Sequence, residues 1–314
     1  LDGLRGEAQA RLRTYRDRPR AGYFPRALLQ LDAAQRNVIV VDSSRSRLYL
    51  YENARGVPHL VADYYTTIGK RGFEKSAEGD QKTPIGVYRV TSRIPGSKLP
   101  DLYGWGAFPI NYPNAWDRML GRTGFGIWLH GVPAETYARA PRASDGCIAL
   151  ANPDIEELGK SVQVGITPVI ISDEIQWVTA SELAADRDAF RARLEAWRAD
   201  WERGEVERYL AHYARQFRSN NMDLAAWRAH KRKVGAGKVW VKVRLSNLSI
   251  LRSPGTPDLM VVTFNQDYRS NNLAQQTRKR QYWLREADNW KIVYEAPTQS
   301  APVILPESFP RNRR

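Results

Sequence analysis

The chain has 314 residues, of which 42% are hydrophobic and 26% charged, and its formal net charge is +14. Its mean hydropathy of −0.55 and the absence of an apolar run of about 18 residues exclude a transmembrane helix. Ten Trp, fifteen Tyr and eight Phe are too much core-forming mass for a disordered protein. One Cys excludes an intramolecular disulfide, and the four His stand apart, so we expect neither a metal site nor a cofactor.

The length and the charge distribution both indicate two domains. Residues 36–174 hold 16 basic and 15 acidic groups, whereas residues 175–314 hold 25 and 15, so the positive charge is concentrated in the second half. We predict an N-terminal segment over 1–35, a first domain over 36–174, a linker over 175–186, a second domain over 187–297, and a tail over 298–314.

The first domain is predicted to be mainly β. Two β-rich runs, 37–42 and 47–51, are separated by a turn at 43–46, and a second turn at 53–56 precedes a third run at 59–68. This order indicates a β-meander. Gly and Pro then recur at short intervals as far as Pro133, which predicts long loops between short strands.

The second domain is predicted to be α+β, with helices first and a sheet after them. Apolar residues at helical spacing predict one helix through Phe190, Leu194, Trp197 and Trp201 and another through Val206, Leu210, Tyr213 and Phe217. From residue 239 the apolar period becomes two, which predicts strands, including a hairpin that turns at Asp288-Asn289.

The candidate chemistry centres on Cys147, although a lone Cys is most often a small buried apolar residue. The thiol follows Gly146, a turn former that lets backbone N–H groups converge on a bound carbonyl oxygen, and apolar Ile148 returns the chain to the core. His130 ends an apolar strand-like run, where a side chain would face a cleft. Because a thiol is mostly protonated at neutral pH, it needs such a neighbouring base to act as a nucleophile.

At these residues the sequence resembles the YkuD-type L,D-transpeptidases, whose signature is HG, a spacer, and then S-x-G-C-[IV]. The match covers His130-Gly131 and the run SDGCI at 144–148, and the segment GDQKTPIGVY at 79–88 is similar to a third family motif. The resemblance implies a β-sandwich-like catalytic domain, a Cys nucleophile, a His base, peptidoglycan stem peptides as substrate and a periplasmic or cell-envelope location. Asp145 and Ala149 stand where many members have His and Arg.

A branch of that family carries a C-terminal NTF2-like domain and includes cell-shape enzymes that act as L,D-carboxypeptidases. The second half resembles such a domain over about 185–297, which implies no catalytic role for it. Its basic clusters at 231–233 and 278–280 lack any nucleic-acid motif. An envelope polymer, a protein partner or a second copy of the chain is a better fit than nucleic acid.

The predicted mechanism is acyl transfer through a thioester. Cys147 attacks the carbonyl between an L-centre and a D-centre, its own N–H and that of Gly146 stabilise the oxyanion, and His130 moves the proton. The backbone carbonyl of Gly131 is a candidate to orient His130. An amine acceptor gives an L,D-transpeptidase, which we expect, and water gives an L,D-carboxypeptidase. A protein with an inactive Cys site that only binds the envelope is the alternative from another class.

The residues around the two motifs are candidates for substrate binding. Asp145 could attract the ammonium group of an incoming diamino acid and so favour an amine acceptor. Trp128 is either a wall of the cleft or a core residue. Three arginines could hold substrate carboxylates, or could be ordinary surface residues. The full set of substrate-binding candidates is Ser144, Asp145, Arg122, Arg142 and Trp128, with Arg139 as the third of the flanking arginines.

Overall fold

The computed structural model of the protein describes residues 2–16, 18–136, 139–256 and 258–298, so almost all of the predicted tail lies outside the described residues. Within these ranges, none of the helices is long and apolar enough to span a membrane. The helices are α1 (Asp2–Arg16), α2 (Ala115–Met119), α3 (Asn152–Ser161), α4 (Ala180–Glu202), α5 (Val206–Ala211) and α6 (Leu224–Ala236), with short 3₁₀ turns at Gly96–Lys98 and Asp101–Tyr103.

Strands dominate the first half and end the second. In chain order they are β1 (Tyr23–Pro25), β2 (Asn37–Asp42), β3 (Arg47–Ala54), β4 (Val57–Tyr65), β5 (Ile68–Gly69), β6 (Gly86–Arg89), β7 (Ile94–Pro95), β8 (Gly106–Pro109), β9 (Trp128–His130), β10 (Arg142–Ser144), β11 (Ile148–Ala149), β12 (Pro168–Ser172), β13 (Trp177–Thr179), β14 (Tyr213–Ser219), β15 (Met222–Asp223), β16 (Val241–Arg252), β17 (Leu259–Ser270), β18 (Leu273–Glu286) and β19 (Asn289–Pro297). The predicted order, a mainly β first domain followed by an α+β domain, is confirmed.

The first half packs two sheets against each other. A five-stranded sheet has the order β4-β3-β2-β12-β6, and a four-stranded sheet has the order β11-β9-β8-β7. Ile39 and Leu48 from the first sheet meet Phe108, Leu129 and Ile148 from the second in one core. The predicted meander is present as β2, β3 and β4. The apolar runs of β2 and β3 are buried because these strands lie between this core and the second half of the chain, whereas Val57 and Val61 of the edge strand β4 are exposed.

A six-stranded sheet forms most of the second half, in the order β15-β14-β19-β18-β17-β16. Helix α4 lies on it through Phe190, Leu194 and Trp197, which contact Phe264 and Trp283 of the sheet. The predicted first helix is therefore confirmed, and it begins ten residues before Phe190, at Ala180, where Thr179 forms a capping box with Glu182.

Two local predictions in this half are wrong, and one helix was missed. Helix α5 ends at Ala211, and Tyr213 and Phe217 lie in strand β14, because an apolar spacing of four fits one face of a strand as well as one face of a helix. Helix α6 was not predicted. The hairpin turns at Ala287-Asp288, since Glu286 pairs with Asn289 and Ala287 adopts a φ of 53°.

The predicted linker over 175–186 is a structured part of the junction between the two halves. Strand β13 pairs with β1 of the N-terminal segment, and the first turns of α4 follow directly. Residues of both halves share a core in which Val38 and Tyr49 lie with Val261, Tyr282 and Val293. The two halves are thus packed against each other rather than joined by a free segment.

Candidate functional site

Cys147 lies at the end of a tight turn between β10 and β11. The Oγ of Ser144 donates to the carbonyl oxygen of Cys147 at 2.6 Å and accepts the N–H of Gly146 at 3.2 Å. Gly146 has a φ of +122°, and a Cβ at this position would lie 2.7 Å from the carbonyl oxygen of Lys82. Only Gly fits this conformation and this close approach.

This turn corrects two sequence predictions. Ser144 is buried, and its hydroxyl makes both of its hydrogen bonds within the turn. It therefore stabilises the backbone around Cys147, which corrects its prediction as a substrate-binding residue. The N–H of Gly146 already donates to Ser144, so of the two N–H groups predicted to bind an oxyanion only that of Cys147 stays a candidate. Gly146 contributes through its conformation.

The segment predicted as the third motif braces the Cys turn. Thr83 donates through Oγ1 to the carbonyl oxygen of Gly146 at 3.0 Å and accepts the N–H of Gly69 at 2.9 Å. Asp80 accepts the buried ammonium of Lys75 at 2.7 Å and three backbone N–H groups of its own loop. Although burial raises the pKa of Asp80, these partners outweigh it and lower the pKa to about 2.

His130 is placed beside the Cys turn by strand pairing. Strand β9 runs parallel to β11, with Leu129 opposite Ile148 and His130 opposite Ala149. The Nδ1 of His130 lies 2.5 Å from the carbonyl oxygen of Gly131, which is the hydrogen bond proposed from the sequence. If Nδ1 carries the proton, Nε2 is left as the basic nitrogen. Burial lowers the pKa of His130 to about 4, so the ring is neutral at neutral pH.

The Cys147 thiol is also neutral at rest. Its Sγ donates to the carbonyl oxygen of Gly126 at 3.3 Å. Burial raises the pKa of the thiol to about 11; Asp145 acts in the same direction, while the N–H of Trp128 and the charges of Arg139 and Lys75 oppose it. A neutral thiol and a neutral imidazole are compatible with general-base catalysis, in which the proton would move as the thiol attacks.

An aromatic residue that the sequence analysis did not single out completes the site. The ring of Tyr103 lies 5.0 Å from that of His130 and 4.9 Å from that of Trp128. Trp128 is buried and packs with Tyr103 and Cys147. It is therefore a core residue in contact with the Cys side chain. Tyr103 belongs to a Gly- and Pro-rich segment in which no spacing distinguishes it from the neighbouring aromatic residues.

The three flanking arginines have different surroundings. Arg122 pairs with the buried carboxylate of Asp117 at 2.9 Å, which corrects its prediction as a substrate-binding residue. Arg142 is exposed, and its guanidinium lies beside Gly72 on the loop that follows β5. Arg139 is half-buried, donates through Nη2 to the carbonyl oxygen of Ala143 at 3.1 Å, and lies close enough to Cys147 for its charge to lower the pKa of the thiol.

Asp145 marks the exposed rim of the site. Its Oδ1 lies 3.0 Å from the Nζ of Lys70 and accepts from Gln81 at 3.0 Å. Its side chain is 72% exposed to solvent. Within the described ranges, no group of three or more His, Cys, Asp or Glu side chains is arranged to hold a metal ion.

Two family models match the chain. The YkuD L,D-transpeptidase catalytic domain matches residues 36–171, and the Cds6 C-terminal NTF2-like domain matches residues 189–296. The candidate L,D-transpeptidase YafK of Escherichia coli K12 is 32% identical over 110 residues, or 32% of this chain. That match spans 40% of YafK.

Solved structures match over most of the length. Bd1075 of Bdellovibrio bacteriovorus superposes with a TM-score of 0.79 at 31% identity, covering 88% of this chain and 99% of Bd1075. The helical cell shape determining protein Pgp2 of Campylobacter jejuni superposes with a TM-score of 0.70 at 24% identity, covering 86% of this chain and 94% of Pgp2. Both halves therefore occur together in other bacterial proteins.

Proposed function

Since the chain belongs to the YkuD-type L,D-transpeptidase family and to the branch with a C-terminal NTF2-like domain, we propose that it is a cysteine acyl-transfer enzyme that acts on peptidoglycan stem peptides. One observation supports this proposal. Cys147 ends a turn that requires Gly146, and the neighbouring strand β9 places His130 beside that turn. Burial keeps the His130 ring neutral. The enzyme's place of action is then the cell envelope, where peptidoglycan lies.

The mechanism uses the groups in the order in which they contact the scissile bond. As Sγ of Cys147 attacks the carbonyl carbon between the L-centre and the D-centre, its proton passes to Nε2 of His130, and the N–H of Cys147 stabilises the oxyanion. When the tetrahedral intermediate collapses, the C–N bond breaks and His130 returns the proton to the leaving amine. A thioester on Cys147 remains, and water or a second amine releases the acyl group.

The geometry favours water as the acceptor, so we propose L,D-carboxypeptidation as the main reaction. The sequence argument for an amine acceptor depended on Asp145, but this carboxylate already lies 3.0 Å from an ammonium group, that of Lys70. Its charge is partly neutralised, and an incoming ammonium would have to displace Lys70. Water needs no acidic subsite and reaches this exposed rim directly.

L,D-transpeptidation is the second candidate, because the family model that matches the catalytic half carries that name. Incubation with purified tetrapeptide muropeptides and mass analysis of the products distinguishes the two reactions. We expect tripeptides and free D-Ala; crosslinked dimers as the main product would favour transpeptidation. The absence of both products, together with no covalent adduct from a carbapenem, would leave the envelope-binding protein as the alternative.

The second half has surface features that suit binding of the polymer. It carries most of the chain's net positive charge. A cavity of about 710 Å³ also lies between α4 and the strands β16 and β17. Lys242 and Arg244 line this cavity with three acidic residues. We propose that the NTF2-like half attaches the enzyme to its polymeric substrate and takes no part in the chemistry.

A further inference from the structure

Helix α1 holds the chain segment that carries Arg139. The N–H of Arg139 donates to Oε2 of Glu7 at 2.7 Å, and Glu7 is buried although it lies in the first helix of the chain. On the other side of the segment, the hydroxyl of Tyr65 donates to the carbonyl oxygen of Arg139 at 2.6 Å. Arg11 of the same helix lies over the Tyr65 ring at 4.4 Å. The backbone of Arg139 is thus fixed from both sides.

The helix also packs directly on the residues that follow. A Cβ at Gly3 or Gly6 would lie 3.5 Å from the side chain of Ala140 or Pro141. This is ordinary van der Waals contact, so α1 lies close against the segment 139–141. The segment continues into β10 and the turn that presents Cys147.

Among the described residues, Arg139 has no acidic partner within ion-pair distance, whereas three other cations near the Cys turn do. Lys75 pairs with Asp80, Lys70 with Asp145, and Arg122 with Asp117. Among the residues that the structure describes, the Arg139 guanidinium makes no ion pair within 4.0 Å, and Nη2 donates to a neutral carbonyl. A guanidinium has five N–H donors, so most of its capacity remains for a ligand.

Its position relative to the reacting groups suggests what that ligand is. The charge of Arg139 acts on both Cys147 and His130, and the residue is half-buried. In a tetrapeptide stem the C-terminal carboxylate belongs to the leaving residue and lies one residue beyond the scissile carbonyl. A planar guanidinium binds a carboxylate through two parallel hydrogen bonds, and it does so more strongly when partly removed from water.

We propose that Arg139 binds the terminal carboxylate of the residue that leaves the donor stem, and that Glu7 of helix α1 is the positioning residue that holds Arg139 there. This inference rests on the proposed function, since it assigns the substrate's chain end within the same site. It also accounts for selection of stem length, because a stem that is one residue longer would place a peptide group, not a carboxylate, beside Arg139.

The test compares a tetrapeptide donor with the same donor ending in a carboxamide. For the wild type, kcat/KM should be at least about tenfold higher with the carboxylate, the scale of a charged hydrogen bond. Arg139→Gln keeps a donor for the Ala143 carbonyl but removes the charge. It should lower kcat/KM for the carboxylate donor by about tenfold or more beyond any loss on the carboxamide donor, mainly through KM, so that the preference for the carboxylate disappears.

Variants of the helix test the positioning role. Glu7→Ala should raise KM for the carboxylate donor more than for the carboxamide, whereas Glu7→Gln, which keeps an oxygen for the Arg139 N–H, should restore much of the preference. The matched control for Arg139→Gln is Arg36→Ala, which also removes one positive charge, but from an exposed position just before β2. Circular dichroism and the unfolding temperature confirm that each variant is folded, and Arg139→Met, which also removes the charge, replaces Arg139→Gln if that variant is not folded.

The two proposals fail in different ways. Equal losses on both donors in Arg139→Gln, or a wild type that does not distinguish the donors, would overturn the role of Arg139 and leave the enzyme assignment intact. A wild type that consumes neither donor and forms no thioester would overturn the proposed function itself.

Discussion

At the scale of single residues, Cys147 and His130 do not form a thiolate–imidazolium ion pair at rest. The thiol of Cys147 donates to a backbone carbonyl and its pKa is raised, while the pKa of His130 is lowered, in both cases mainly by burial. Burial disfavours charge on either group, so in the proposed mechanism thiolate and imidazolium would form only as the substrate reacts. A protonated thiol is also less reactive toward other electrophiles than a thiolate.

Cys147→Ala should abolish turnover and covalent labelling while the fold is kept. The substitution removes one sulfur atom at the edge of a small cluster and leaves the hydrogen bonds of Ser144 in place. We expect the unfolding temperature to change by less than about 4 °C, roughly 1 kcal/mol for a chain of this size. Mass analysis of labelling, with wild-type protein in parallel, measures the effect; turnover near the wild-type rate would exclude Cys147 as the nucleophile.

The rate constant of acylation should depend on pH through His130. Because burial lowers the pKa of His130 to about 4, the ring is unprotonated above that pH and available as a base. The rate should therefore be level through neutrality and fall only as the pH drops toward 4, rather than near the ordinary histidine pKa of 6.5. Stopped-flow acylation from mildly acidic to neutral pH measures this profile, and a fall centred near pH 6.5 would contradict it.

His130→Gln provides the matching substitution. The glutamine can still bond to the Gly131 carbonyl but cannot accept the thiol proton as a base. Acylation should slow by roughly 10²-fold or more, the scale of a lost general base. An acylation rate equal to that of the wild type would remove His130 from this role.

At the scale of elements, the loop 75–83 supports the Cys turn through buried polar contacts. Lys75 and Asp80 hold the loop in one shape, and Thr83 connects it to the carbonyl of Gly146. The order of these residues in the motif reflects this geometry. Asp80 organises the loop, and the Thr three positions later reaches the nucleophile's turn.

Asp80→Asn should destabilise this loop and reduce activity together. The change leaves the buried Lys75 ammonium without its carboxylate, and breaking a buried pair costs about 3–5 kcal/mol. Because the pKa of Asp80 is lowered to about 2, the wild type keeps this contribution above the ordinary carboxyl pKa of about 4 and loses it as the pH falls toward 2. Chemical denaturation at neutral pH measures the loss.

The control for this prediction is Glu157→Gln, which makes the same acid-to-amide change in a pair exposed on both sides. Its unfolding midpoint should match the wild type. If Asp80→Asn were as stable and as active as the control, the Lys75–Asp80 ion pair would not be what fixes the loop 75–83 against the Cys turn.

At the scale of the whole molecule, the two halves are joined by a shared core. Tyr282 of β18 is buried in this core and stacks on Trp116 of the first half at 6.5 Å between ring centroids. Arg278 reaches across to the buried Asp32 at 2.8 Å. Such contacts make the stability of each half depend on the other.

The full chain should therefore unfold in one calorimetric transition. Tyr282→Ala would leave a cavity at the shared core and should cost roughly 3–5 kcal/mol, and the transition should remain single at a lower temperature. Val239→Ala, at a residue that is 85% exposed, is the control and should leave the transition where it is. Two separate transitions, of which only one moves in Tyr282→Ala, would show that the halves unfold independently.

The sequence by itself determined the features that are encoded locally. Alternating and continuous apolar runs determined the strands of the first half, the spacing of Phe190, Leu194 and Trp197 determined the long helix, and the ordered motifs identified Cys147 and His130. These signals are short in sequence because turn conformation and side-chain periodicity depend on neighbouring residues.

The tertiary structure decided which groups each polar side chain meets. The sequence could not distinguish Arg122, whose partner is Asp117, from Arg139, which has no ion-pair partner among the described residues. Nor did it contain any sign that Glu7 supports Arg139 from 132 residues away. It also could not separate strand from helix at Tyr213 and Phe217. The physical reason is the same in each case: pairing and burial depend on residues brought together only when the sheets and helices pack, and local periodicity contains no information about them.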